Sequence, residues 1–163
     1  MNVPYACEKA MADAIVKYGD LGKVIVRVWH GLGYIVGWKE TPGKEAPLIQ
    51  ITHAAESVQD NQVTMQSTGA VLVQTKTDDD RDHGVCANLY EGTHKVMRDI
   101  FQGFIGGTEA QAAIYAEYAA AVESYTSSGV HVGGVSFAEP TPPDASDGYN
   151  STGIGWAVHF SYA

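Results

Sequence analysis

From Ile154 to Tyr162 the chain alternates without a break: Ile154, Trp156, Val158, Phe160 and Tyr162 stand between Gly155, Ala157, His159 and Ser161. Only an extended strand sends successive side chains to opposite faces, so this run predicts a half-buried β-strand. Such a strand needs neighbours for its backbone groups and a second layer over its apolar face. One neighbour is predicted just upstream. Val130, Val132 and, after the Gly133-Gly134 step, Val135 and Phe137 read as a strand carrying a bulge at the two glycines. The stretch from Glu139 to Thr152 holds Pro140, Pro142, Pro143, Asp144 and Asp147 and is predicted to be an irregular loop joining two antiparallel strands.

Helical spacing appears three times. Cys7, Met11, Ala14, Ile15 and Tyr18 recur on one face of a helix over 4–18, with Pro4 in its first turn and Gly19 and Gly22 after its end. A second helix is predicted from about Asp78, capped by Thr77 or Asp78, with Asp79, Asp80 and Asp82 at the positive end of its dipole. Its buried stripe is Cys86, Leu89, Val96, Met97 and Ile100, and Phe104-Ile105-Gly106-Gly107 closes it. Thr108 and Gln111 then form a capping box for a third helix running to about Ser124. That helix is rich in Ala and Tyr, which permits close approach to its own sheet or to another subunit.

Between the first two helices the pattern is extended. Lys23–His30 carries apolar residues on both faces, which predicts a central strand. Gly31–Trp38 suggests a further strand and a hairpin whose tip is Thr41-Pro42-Gly43-Lys44. Leu48–His53 and Ala70–Thr77 read as strands, and the polar segment 54–68 as a projecting loop or ribbon. The expected fold class is α+β: one mainly antiparallel sheet with about three helices packed on it, with a projecting hairpin or loops, in a single domain over 1–163. At 163 residues one domain is the natural reading, on a prior of roughly 150 per domain.

Composition narrows the function classes. Charged residues are 18% of the chain, below the ~25% usual for a soluble domain, while nine Tyr and three Trp raise the share of residues enriched at protein interfaces. That balance points to assembly or to a large aromatic core. The net charge of −9 argues against holding nucleic acid by its phosphates and against docking on an anionic membrane. No leader pattern and no apolar run of ~18 residues is seen, so the expectation is a soluble chain made in the cytoplasm. Cys7 and Cys86 lie on apolar helix faces and are expected to be reduced core residues.

Chemistry-bearing motifs are sparse. Asp78, Asp80 and Asp82 fit the first ligand positions of a calcium-binding loop, but His83 stands where that loop needs Gly and Leu89 where it needs Glu. His83 and His94 share a helix face yet stand ~16 Å apart, too far to hold one ion. His30, His53, His131 and His159 fall on separate strands or strand ends. Gly31-x-Gly33 meets Val36 where a dinucleotide fingerprint needs Gly, and there is no Gly-x-Ser-x-Gly elbow or phosphate loop. Trp29, Trp38 and Trp156 are read as core or interface residues. No catalytic, cofactor-binding or metal-ligating residues are assigned, no cofactor is expected, and the chain is read as not an enzyme.

The order of these elements resembles the tail terminator and tail-completion (neck) proteins of long-tailed bacteriophages. The features that carry the resemblance are the helix Tyr5–Tyr18 running into the strand Lys23–His30, and the Pro-led strand Pro47-Leu48-Ile49-Gln50-Ile51. The strand Val71–Thr75 then passes through Asp80-Arg81-Asp82 into a long helix ending near Ile100, and the pair Val130–Phe137 and Gly153–Tyr162 brackets the Pro/Asp loop. The Ala-rich third helix departs from the simplest version of that pattern. The resemblance implies a virion structural protein, a hexameric ring that caps the tail tube and joins it to the head connector. Its implied partners are further copies of itself, the major tail tube protein and a head-tail connector or head-completion protein. DNA would pass through the lumen without specific binding, with no membrane involved and assembly in the host cytoplasm. The alternatives are another neck or minor tail component, or a small metal-dependent hydrolase using His83, His94 and Asp78–Asp82.

Overall fold

The computed structural model describes residues 2–21, 25–28, 48–58, 65–77, 84–126, 129–138, 144–146 and 148–162. Asn2 opens the first helix, α1 (Val3–Tyr18): its side-chain oxygen accepts the Tyr5 amide at 3.0 Å, and Pro4 falls in the first turn, where it costs no helical hydrogen bond. The predicted face of Cys7, Met11, Ala14 and Ile15 is buried, and so are Ala6, Ala10 and Ala12 on neighbouring positions. Burial reaches beyond one face because α1 lies between the sheet and another helix.

Six strands form one sheet: β1 (Ile25–Val28), β2 (Leu48–Val58), β3 (Met65–Lys76), β4 (Val130–Phe137), β5 (Asp144–Ser146) and β6 (Tyr149–Tyr162), in the order β1-β2-β3-β6-β4, with β5 also on β6. β1 runs parallel to β2; every other pairing is antiparallel. The α+β class with a mainly antiparallel sheet is therefore what the chain forms. The predicted alternation sets the register. Ile49 and Ile51 face Val73 and Val71, and Val71 in turn faces Ile154. Trp156, Val158 and Phe160 continue the row toward Val135 and Val132 of β4, across the bulge between Val132 and Gly134. These side chains are all buried beneath the helices, each contributing roughly 1.5–3 kcal/mol of apolar burial for residues of this size.

The helices α2 (Gly84–Ile105) and α3 (Glu109–Tyr125) form a hairpin. On α2 the predicted stripe Cys86, Leu89, Val96, Met97 and Ile100 is buried, with Thr93 among them donating its hydroxyl to the Leu89 carbonyl at 2.8 Å. At the start of α3 the capping box is complete: Gln111 N donates to Thr108 Oγ1 at 3.2 Å and Thr108 N to Gln111 Oε1 at 3.0 Å. α1 packs on β1, β2 and β3; α2 packs on β3, β6 and β4; α3 lies against α1 and α2 and touches β4.

The described residues bear on four expectations. β1 has one described neighbour, β2, and ends the described sheet, while the strand expected next to it in sequence, Gly31–Trp38, lies outside the described residues. Of the loop or ribbon expected over 54–68, the described residues form the ribbon: β2 continues to Val58 and β3 begins at Met65, held by pairs from Ala55↔Thr68 to Val58↔Met65. The pairing of β3 with β6 on its other side holds these polar residues extended. Thr77 donates its amide and hydroxyl to the Gly148 carbonyl at 3.0 Å, and the described helix begins at Gly84; the helix start expected near Asp78 lies outside the described residues. Finally, the Pro/Asp stretch is partly regular: β5 pairs with the first residues of β6, Ser146 facing Tyr149, so β6 starts before the predicted Gly153. The predicted features at Gly31–Trp38, the tip at Thr41–Lys44 and Asp78–Asp82 lie outside the described residues.

Candidate assembly surfaces

Three surfaces could carry function. The first is the outer side of α3. Only Tyr118 and Val122 of this helix are buried, whereas Ala110, Ala112, Ala113, Ala116 and Ala120 are exposed. Its charged residues are Glu109, Glu117 and Glu123, all acidic. Tyr118 anchors it: the hydroxyl accepts the Trp156 indole N–H at 3.2 Å, so the buried phenol reaches past the helical layer to β6. Burial, followed by the nearby Cys7, pushes the Tyr118 hydroxyl well above the usual tyrosine range.

A seam between α1 and α3 encloses about 170 Å³ over Ala10, Ala14, Ile114 and Ala121. Its rim is polar. Tyr125 donates to Asp13, Tyr18 donates to Glu117, and Lys17 Nζ lies 2.6 Å from Glu117 Oε1. The hydrogen bonds from Lys17 and then Tyr18 hold the Glu117 carboxyl below its usual range. These rim groups satisfy one another, and the space is smaller than the ~300 Å³ at which ligand pockets begin, so the seam acts as a clamp between helices.

The sheet face opposite the helices forms the second surface. A shallow concavity of about 320 Å³ is lined by Gln66, Thr68, Gly69, Ser136, Gly155 and Ala157, among others, with no charged side chain in its lining. Ser136 Oγ lies 3.3 Å from His159 Nε2 beside it. A working serine nucleophile also needs a group orienting the imidazole and donors for an oxyanion. The lining is neutral throughout, small residues together with Gln66, Phe137 and Trp156, which suits contact with another surface.

The third surface is the outer edge of β4. Val132 N donates to Glu123 Oε1 at 2.9 Å, and the same oxygen lies 3.2 Å from His131 Nδ1. Thus an acidic side chain from the last turns of α3 lies on the edge strand. No family model and no curated protein matches this chain.

Among the described residues, His94, His131 and His159 do not converge. His94 stacks on Tyr90 with ring centroids 5.5 Å apart, while His131 and His159 take the separate partners above. His53 lies in β2, and His30, His83, Trp29 and Trp38 fall outside the described residues. Among the described residues no three His, Cys, Asp or Glu side chains are grouped to hold a metal ion. Cys7 and Cys86 are buried and joined in no disulfide, as expected. Trp156 is a core residue, only 3% exposed. No described helix is long and apolar enough to cross a membrane. Two residues that sequence reasoning passed over, Tyr118 and Glu123, do the connecting. Tyr118 lies on a core-facing stripe with Ile114, Val122 and Tyr125, which the many alanines of α3 obscure in the sequence.

Proposed function

We propose that this chain is a structural protein of long-tailed bacteriophage virions, a tail terminator whose copies close into a ring on the tail tube and join it to the head connector. The order of elements carries the reading: an N-terminal helix followed by a strand, a long-stranded ribbon, a long helix, and a closing pair, β4 and β6, around the Pro/Asp segment. The outer side of α3 supports it, because alanines with no lysine or arginine among them allow a second surface to approach closely. Head-to-tail contacts of this kind close into a ring when the rotation per copy divides a full turn. The net charge of −9 suits a lumen through which DNA slides without being held.

The test is electron microscopy of the purified protein alone and mixed with isolated tail tubes. Rings of about six copies, the number the resemblance implies, or density capping the tube ends, are expected. A strict monomer by light scattering that ignores tail tubes would overturn the proposal.

A further inference from the structure

β4 has β6 on one side and no strand on the other among the described residues. An edge of this kind offers unpaired amides and carbonyls to any passing strand, and folded proteins blunt such edges with charges, prolines, bulges or a covering element. The sequence of β4, Val-His-Val-Gly-Gly-Val-Ser-Phe, contains no Lys, Arg, Asp, Glu or Pro. Val130, Val132 and Val135 make it a strong strand former with no charge against self-pairing. Its own protection is limited to the bulge between Val132 and Gly134. Among the described residues the remaining protection comes from outside the strand: Glu123 Oε1 accepts the Val132 amide at 2.9 Å and lies 3.2 Å from His131 Nδ1. Glu123 is itself fixed at the end of α3, where Thr126 Oγ1 donates to the Glu123 carbonyl at 3.0 Å and Thr126 N to the Val122 carbonyl at 3.2 Å.

We infer that Glu123 is a guard on the β4 edge, its carboxylate occupying the Val132 amide and so keeping β4 from pairing with β4 of a second copy. The second copy is the matching occupant because two identical antiparallel edges are complementary to each other about a two-fold axis. This inference does not rest on the ring reading: a ring built through other surfaces would gain the β4 contact as an additional, two-fold association.

The test compares the full chain with Glu123→Ala and Glu123→Gln by sedimentation velocity over a hundredfold concentration range, with amide exchange at Val132 followed in parallel. Glu123→Ala is expected to double the mass of the wild-type species as concentration rises, and to speed Val132 exchange at least tenfold at the lowest concentration. Glu123→Gln keeps an acceptor oxygen and is expected to retain the wild-type mass and slow exchange. If Glu123→Ala loses its helical circular dichroism, Glu123→Asp provides the same test, since its shorter side chain keeps the charge but falls short of the amide. A folded Ala or Asp variant with the wild-type mass at every concentration overturns the inference, as does a Gln variant that associates as strongly as Ala. Failure of the wild-type protein to bind tail tubes would bear on the ring reading alone and leave this inference standing.

Discussion

Phe104 and Gly134 meet where the last turn of α2 lies over the β4 bulge. A Cβ built on Gly134 would sit 2.5 Å from Phe104 Cζ, well inside van der Waals contact, so the ring occupies the space a side chain would need. Phe104 also pairs with Tyr115, their centroids 5.3 Å apart, yet remains 40% exposed and free to swing outward. Gly134→Ala is therefore expected to cost about 1 kcal/mol, the modest end of overpacking. In a Phe104→Ala background the same substitution is expected to be neutral. The measurement is a double-mutant cycle from urea denaturation, with a coupling of about 1 kcal/mol as the predicted reading. Equal costs in both backgrounds would mean the ring does not rest on Gly134.

Between elements, the α2–α3 hairpin is fastened at two places of different kinds. At the turn, Gln111 serves both helices: its Oε1 closes the capping box with Thr108 while its Nε2 donates to Asp99 Oδ1 at 3.1 Å. Farther in, Gly103 lets the backbones touch, for a Cβ there would stand 2.0 Å from the Gln111 carbonyl oxygen. The obstacle is main chain rather than a movable ring, so relief requires the helices to part. Gly103→Ala is expected to destabilise by about 2–3 kcal/mol or more, and Thr108→Ala by about 1 kcal/mol through loss of the cap. Thermal melts of the two variants check the ranking. A Gly103→Ala protein as stable as Thr108→Ala would show that the helices cross farther apart.

For the molecule as a whole, tyrosines tie layer to layer and make stability sensitive to alkali. Tyr118 is driven well above its ordinary pKa by burial, Tyr115 upward by burial, and Tyr125 upward by its hydrogen bond to Asp13. Each folded-state value lies above the unfolded value near ~10, so the fold favours the neutral phenol. The resulting stability is fully present below pH ~10 and is lost as pH rises from there through the folded values. The urea midpoint is expected to fall between pH 8 and pH 11, and to fall less for Tyr118→Phe, which at pH 8 gives up about 1 kcal/mol of hydrogen bond to Trp156. A Tyr118→Phe protein that loses as much stability as the wild type between those pH values would remove Tyr118 as the source.

The sequence alone determined those features whose cause is local. Alternation from Ile154 to Tyr162 dictates a strand and its buried face, the Thr108–Gln111 spacing dictates a helix start, and the Gly133-Gly134 step dictates a bulge. It also held a sign that was passed over: Asp147-Gly148, a strong hairpin dipeptide, precedes the start of β6, where Gly148 has a φ of +81°. Only the tertiary structure decided which strand ends the described sheet, how far β2 and β3 extend, and why alanines of α1 are buried on more than one side. It alone brought Glu123 to Val132 and Tyr118 to Trp156, pairs separated by 9 and 38 residues. Lateral neighbours and contacts between elements depend on how whole faces dock, and no periodicity within one segment records that.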